Sequence, residues 1–354
     1  MKQVIKRVLK GLLPNRFLNA YRNIETLGVL KEQVHAITNQ VSANIETLGV
    51  LKEQVHAITN QVSANIETLG SFKEQINSIA NQVNSILWRA EGVMSINELF
   101  VETPKEKVEG FIKSLHPVKT EHGLVRWGAK HDGGYLIPND FEGIRVLFSP
   151  GVGGVSAFEE DFYRHCKPTN PNDIYIYMAD KSVNEPILNI PKENYSFIKK
   201  FIGCSNDKDF ITLDTWVNNS QVGEGDLMLQ MDIEGGEYLA LINASDSLLD
   251  RFRIIALEIH RLKYLWDNNY FEVIQSAMNK ILKTHYCVHL HPNNCCAPHH
   301  HNGVSIVEVI ECTFIRKDRV KHILSYCDEF PHPLDTDNVV GNPTLILPRN
   351  WYGG

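Results

Sequence analysis

Asp226-Leu-Met-Leu-Gln-Met-Asp-Ile-Glu-Gly-Gly-Glu237 is the stretch around which the rest of the chain is read. Its apolar run ends at Met231 and has the length of a central parallel strand buried on both faces. Asp232, Glu234 and Glu237 then crowd around Gly235-Gly236, ahead of a helical pattern of Leu239, Leu241 and Ile242. Open α/β sheets place their ligands at the carboxyl ends of such strands. Singly, Asp232 could end a strand and Glu234 could favour a helix N-terminus. Together, beside two glycines, the three acids are read as an active site.

Outward from this stretch, short apolar runs alternate with helical segments, the pattern of an α/β domain. Expected strands are Ile144–Ser149, Ile174–Ala179, Asp226–Met231, Ile254–Glu258, Tyr286–His291 and Val304–Phe314, with an irregular tail after Arg319. Behind the first of them comes SPGVGGVSAFE, ending at Glu159. Glycines let a ligand approach the backbone, and the following helix N-terminus adds partial positive charge. Ser156 stands where a dinucleotide fingerprint wants its third glycine. Asp180, at the end of the next expected strand, is placed to bind the hydroxyls of a ribose. A glycine turn without a phosphate requirement, followed by this acid, suits S-adenosylmethionine better than NAD. Asp132-Gly133-Gly134-Tyr135 reads either as a turn closing over that cofactor through Tyr135 or as a plain hairpin turn.

Size and charge narrow the class. The chain has 354 residues, 43% hydrophobic and 22% charged, as in soluble globular proteins. A net charge of -7 excludes bulk attraction to nucleic acid. Seven cysteines without a CxxC pair fit a reducing compartment. No apolar run is long enough to span a bilayer, so a cytoplasmic protein is expected.

The N-terminal third differs in kind. Residues 1–18 alternate bases with Val4, Ile5, Val8, Leu9, Leu12 and Leu13, leaving Lys2, Lys6 and Lys10 on the other helical face. Such a basic amphipathic helix can associate with the inner face of an anionic membrane, or pack against protein. In residues 19–90, NIETLGVLKEQVHAITNQVSA at 23–43 recurs unchanged at 44–64, and a diverged copy follows. With Leu27 as a, the a and d positions through Ile86 are apolar except Asn44 and Asn65, which predicts a coiled coil. Ile37, Ile58 and Ile79 at d favour a homotrimer over a dimer. Residues 91–120 read as a helical linker, and 121–354 as the α/β domain.

GVGGVSAFEEDF, Asp180, ITLDTW with Asp214, MDIEGGEY and ALEIH, in this order, resemble the FkbM-type family of S-adenosylmethionine-dependent methyltransferases. The likeness runs roughly from Val125 to Arg316 and departs from the commoner glycine turn at Ser149-Pro150, where an acid often leads. It implies a Rossmann-like class I methyltransferase domain acting on hydroxyl oxygens. It also implies cofactor contacts at Gly151, Gly153, Gly154, Asp180 and Asp214, with Asp232 near the transferring methyl.

A sugar hydroxyl is a poor acid, so methylating it needs a base or a metal. His260 is the candidate base, beside Asp232 and Glu237; a buried structural histidine is the alternative. His289 and His291 lie on one strand face and, with Asp232, Glu258 and His260, could hold a divalent metal. Basic helix, rod and α/β domain together resemble bacterial chain-terminating enzymes that methylate an O-antigen, which implies an O-methyltransferase acting at the non-reducing end of an O-antigen or other surface glycan, with the coiled coil as a length ruler. Its partners would be the glycan acceptor and the inner-membrane surface or a membrane-bound glycan-assembly enzyme. A small-molecule O-methyltransferase and a non-catalytic coiled-coil scaffold are the rivals.

Overall fold

Buried apolar runs generate one seven-stranded sheet. Its strands are β1 (Val146–Pro150), β2 (Tyr175–Ala179), β3 (Tyr195–Ile198), β4 (Leu227–Met231), β5 (Phe252–Ile259), β6 (His285–Pro292) and β7 (Ile310–Arg316). The computed structural model describes residues 26–34, 101–154, 156–166 and 174–353. Residues 26–34, inside the repeats, are helical. The basic helix of 1–18, the remaining repeats and residues 91–100 of the expected linker lie outside the described residues. The chain divides into two units, Met1–Glu98 and Leu99–Gly354, and the sheet belongs to the second.

The strand order is β6-β7-β5-β4-β1-β2-β3. The five strands from β3 to β5 run parallel, whereas β7 pairs antiparallel with both β5 and β6. The order 3-2-1-4-5 is that of a doubly wound sheet, and it reverses direction between β1 and β4. Every residue of β4 and β5 is buried, as parallel strands covered on both faces require.

Alternate side chains feed two cores. Phe148, Ile255 and Leu257 pack with helices α1 (Lys105–Ser114), α3 (Leu213–Asn219), α4 (Glu237–Asn243) and α5 (Asn268–Thr284). Leu147, Ile254 and Ala256 pack on the opposite side with α2 (Ala157–Cys166) and the hairpin of Leu124–Gly128 and Gly134–Pro138. Trp127 and Tyr135 of that hairpin are almost fully buried, so it seals the second face.

Several boundaries differ from the sequence-based expectation. The expected strand Val304–Phe314 is broken: Val304–Ile306 turns back on His299–His301, and the sheet resumes only at Ile310. β3 escapes the pattern because all four of its residues are only half-buried at the sheet edge, so it has no apolar run. The irregular tail contains one strand, Ile323–Tyr326, paired with Val118–Thr120. No described helix is long and apolar enough to cross a membrane.

Candidate active site

A cavity of about 570 Å³ opens at the carboxyl ends of β1, β2 and β4, where the sheet order reverses. The size suits a nucleoside-sized ligand, and the position is where doubly wound sheets bind ligands. Gly151, Gly153 and Gly154 form one wall, Asp180 and Ser182 a second, and Gln230, Asp232 and Glu234 a third. The hairpin loop contributes His131, Asp132 and Tyr135. Asp132-Gly133-Gly134-Tyr135 is thus a hairpin turn that lines the cavity.

Close backbone approach explains the glycine turn. Gly151 has φ +85°, and its N–H donates to the Ala179 carbonyl at 2.9 Å. Asp180 ties the turn to β2: its Oδ2 accepts from the Gly153 N–H at 2.9 Å. Its Oδ1 accepts from both the N–H and the hydroxyl of Ser182, each at 2.7 Å. The acid expected to meet a ribose thus also fixes the loop beside it.

Glu159 is a pocket residue to which pattern reading gave no role. It comes from the first turn of α2, is 2% exposed, and places Oε1 against the Ser149 hydroxyl. That hydroxyl also reaches Gln230 Oε1 at 2.7 Å. One hydroxyl hydrogen cannot serve two acceptors, so a protonated Glu159 donating to Ser149 satisfies the chain. Burial pushes the Glu159 carboxyl up to about 7, in keeping with this. The strand end lacks an acid at Ser149-Pro150, and the helix brings one against the Ser149 hydroxyl.

At the acidic end, His260 follows β5 and stands among four carboxylates. Its Nδ1 is 3.3 Å from Glu237 Oε1, and its Nε2 is 3.5 Å from Glu258 Oε2 and from Glu234 Oε2. Asp232 Oδ1 is 3.9 Å from Nε2. His260 is not among the residues that line the cavity, but Asp232 and Glu234 beside it are. Burial alone would lower the imidazolium, yet the Glu237, Glu258 and Asp232 carboxylates outweigh it and hold its pKa raised. Burial, then the Glu258 charge, raises Asp232. Glu258 is raised as well, chiefly by burial, while Asn293 Nδ2 donates to it at 2.7 Å. Burial also lifts the Tyr135 phenol well above its usual value, keeping it neutral.

Glu237 is completely buried at the start of α4, where Oε1 accepts from the N–H groups of Ile233 at 2.9 Å and Gly235 at 3.2 Å. Glu234 and Arg261, two non-glycine residues with positive φ, follow the β4 and β5 ends, and the Arg261 side chain packs on Gly235 beside Glu234. Such strained positions cluster where function demands a shape.

Three expected site residues lie apart from this group. Asp214 does not line the cavity; its carboxylate accepts from the N–H of Ser245 at 2.8 Å and from the Ser245 hydroxyl, clamping α3 to the helical turn Asp246–Leu249. His289 and His291 share a strand face as expected, but the tail turns Asp335 onto them. His289 Nε2 is 2.9 Å and His291 Nδ1 3.6 Å from that carboxylate. Neither joins the group whose ligand atoms lie within 4.8 Å of one another, which among the described residues is Asp232, Glu237 and His260.

No curated protein matches the chain. Among solved structures, the N-methyltransferase NodS from Bradyrhizobium japonicum WM9 is similar at 10% identity and TM-score 0.26, over 49% of this chain and 86% of that one. MNMC2 from Aquifex aeolicus is similar at 11% identity and TM-score 0.26, over 68% of this chain and 84% of that one. The family match is narrower than the span of motifs quoted above and stops short of the glycine turn, but it takes in Asp180, Asp214, Asp232, Glu237, Glu258 and His260. Residues 170–285 match the family model of the Methyltransferase FkbM domain.

Proposed function

We propose that the chain is an S-adenosylmethionine-dependent O-methyltransferase whose acceptor is a sugar hydroxyl. The observation that carries this reading is the meeting of the glycine turn, Asp180 and Asp232 around one cavity at the switch point of the sheet. The Methyltransferase FkbM match over 170–285 supports the same assignment.

In this reading Gly151, Gly153 and Gly154 let the cofactor approach the backbone of the turn, and Asp180 meets its ribose. Tyr135 and the hairpin loop cover the cavity and exclude water. The sulfonium methyl is already activated: its bonding pair stays on sulfur as the acceptor oxygen forms the new bond. Alignment in a dry site therefore supplies much of the acceleration. The acceptor enters from the Asp232 side, and the hydroxyl proton leaves among the acidic groups around His260.

The N-terminal third of the sequence supports the acceptor class. The 21-residue repeats and basic helix suit a trimer held at the inner face of a membrane and working on a long glycan, with the rod as ruler. The rivals are a small soluble acceptor and a scaffold that does not catalyse. Calorimetry with S-adenosylmethionine, followed by mass spectrometry of cell-surface glycans with and without the chain, separates the three. Cofactor binding plus a methyl lost from the non-reducing end supports the proposal. Binding with unchanged glycans shifts it to a small acceptor, and no binding leaves the scaffold.

A further inference from the structure

Three residues at the acidic end of the sheet each carry a buried polar atom without a hydrogen-bond partner. The atoms are Asp232 Oδ1, Glu237 Oε2 and His260 Nδ1. Leaving such atoms unmatched costs stability, and costs more when the group is charged. Each belongs to one of the three residues whose ligand atoms lie within 4.8 Å of one another. Glu237 is the telling member. Fully buried, it spends Oε1 on two backbone N–H groups and keeps Oε2 without a partner.

We propose that Asp232, Glu237 and His260 bind a single divalent cation of the Mn²⁺ or Mg²⁺ class. Two carboxylates and one imidazole, with no thiolate, are the donors of oxygen-preferring divalent ions. Glu258 and Glu234 each place an oxygen 3.5 Å from His260 Nε2, so the site carries excess negative charge that a dication offsets. Backbone donors fix Glu237 through Oε1, as the hydrogen bonds behind metal ligands fix those ligands, and leave Oε2 for the ion. Asp232 also lines the cavity, so the ion's remaining positions face the acceptor's side and suit neighbouring sugar hydroxyls. The site stands on this geometry; its role toward the acceptor rests on the methyltransferase reading.

The test uses the full chain, stripped with a chelator and titrated with Mn²⁺ under electron paramagnetic resonance, where bound ion loses the free-ion signal. One ion per chain is expected, weakened at least about tenfold in Asp232→Asn and in Glu237→Gln and unchanged in His289→Ala. Circular dichroism checks that each variant folds; if Glu237→Gln does not, Asp232→Asn decides. No stoichiometric binding by the parent chain, or equal affinity in the variants, overturns the site. Calorimetry with S-adenosylmethionine on the stripped chain keeps the two readings separable. Cofactor binding without Mn²⁺ binding would sink the cation alone.

Discussion

The backbone of Gly151 rests against the carbonyl of Asp232: a Cβ at residue 151 would lie 1.5 Å from that oxygen. The contact joins the β1 and β4 strand ends and sets the floor of the cavity. Gly151 also has φ +85°, so a side chain there meets strain and collision together.

Gly151→Ala is therefore expected to destabilise the domain by more than about 3 kcal/mol, or to prevent folding. Gly153→Ala is the control. Its φ is also positive, at +57°, but nothing lies within 4 Å of its added Cβ. It should cost only about 1–2 kcal/mol. Equal melting temperatures for the two variants would refute the contact.

Glu159 should make cofactor binding depend on pH. Its carboxyl, held at about 7, is neutral below that value and charged above it. A cationic sulfonium ligand favours the charged form, so affinity rises from about pH 6 to about pH 8, by up to roughly tenfold per unit of linked shift. Glu159→Gln should bind more weakly at the upper pH and show a flat profile by calorimetry. A parent chain as flat as the variant would remove Glu159 from the cofactor site.

Glu311 affects stability in the same pH range. Burial raises it from 4.5 to about 8 in the folded chain. The folded state thus keeps a proton that the unfolded state has released, and stability falls as pH rises between those values. Below the lower value both states are protonated and nothing is lost. Glu311→Gln keeps an acceptor for Asn338 Nδ2, which now donates at 2.6 Å. It should flatten thermal melting across the window and raise the melting point near its top, by roughly 2–4 °C per kcal/mol. A steeper pH dependence in the variant would count against it.

Asp214 and Asp180 should separate stability from binding. Asp214→Ala removes the clamp on Ser245 and is expected to cost about 1–3 kcal/mol while leaving cofactor affinity unchanged. Asp180→Ala frees the Gly153 N–H at the cavity wall and should weaken the cofactor about tenfold or more. Calorimetry beside thermal melts reads both effects. A cofactor defect in Asp214→Ala would return that residue to the site.

How far the site can be read from sequence depends on how local its causes are. The run to Met231, the glycine turn and the position of Asp180 follow from short-range rules: an apolar run of strand length and glycine where φ is positive. The Methyltransferase FkbM match falls on the same acidic stretch. Asp214 was assigned to the cofactor because its motif resembled the family's, and a motif does not say where one carboxylate points. His289 and His291 do share a face, as a strand period of two requires. Asp335, brought over by the tail, takes that face away from the acidic group.

The sequence by itself determined an α/β domain behind a 21-residue repeat, with a glycine turn and an acidic strand end. Each of these is set by neighbours within a few residues. Only the tertiary structure decided that Glu159 meets the Ser149 hydroxyl in the cavity wall. It alone set Glu237 and His260 3.3 Å apart, and left Asp214 to a structural bond. Those pairings depend on strand order and on a β7 inserted between β5 and β6. Strand order is set by burying whole faces at once, which no local pattern encodes.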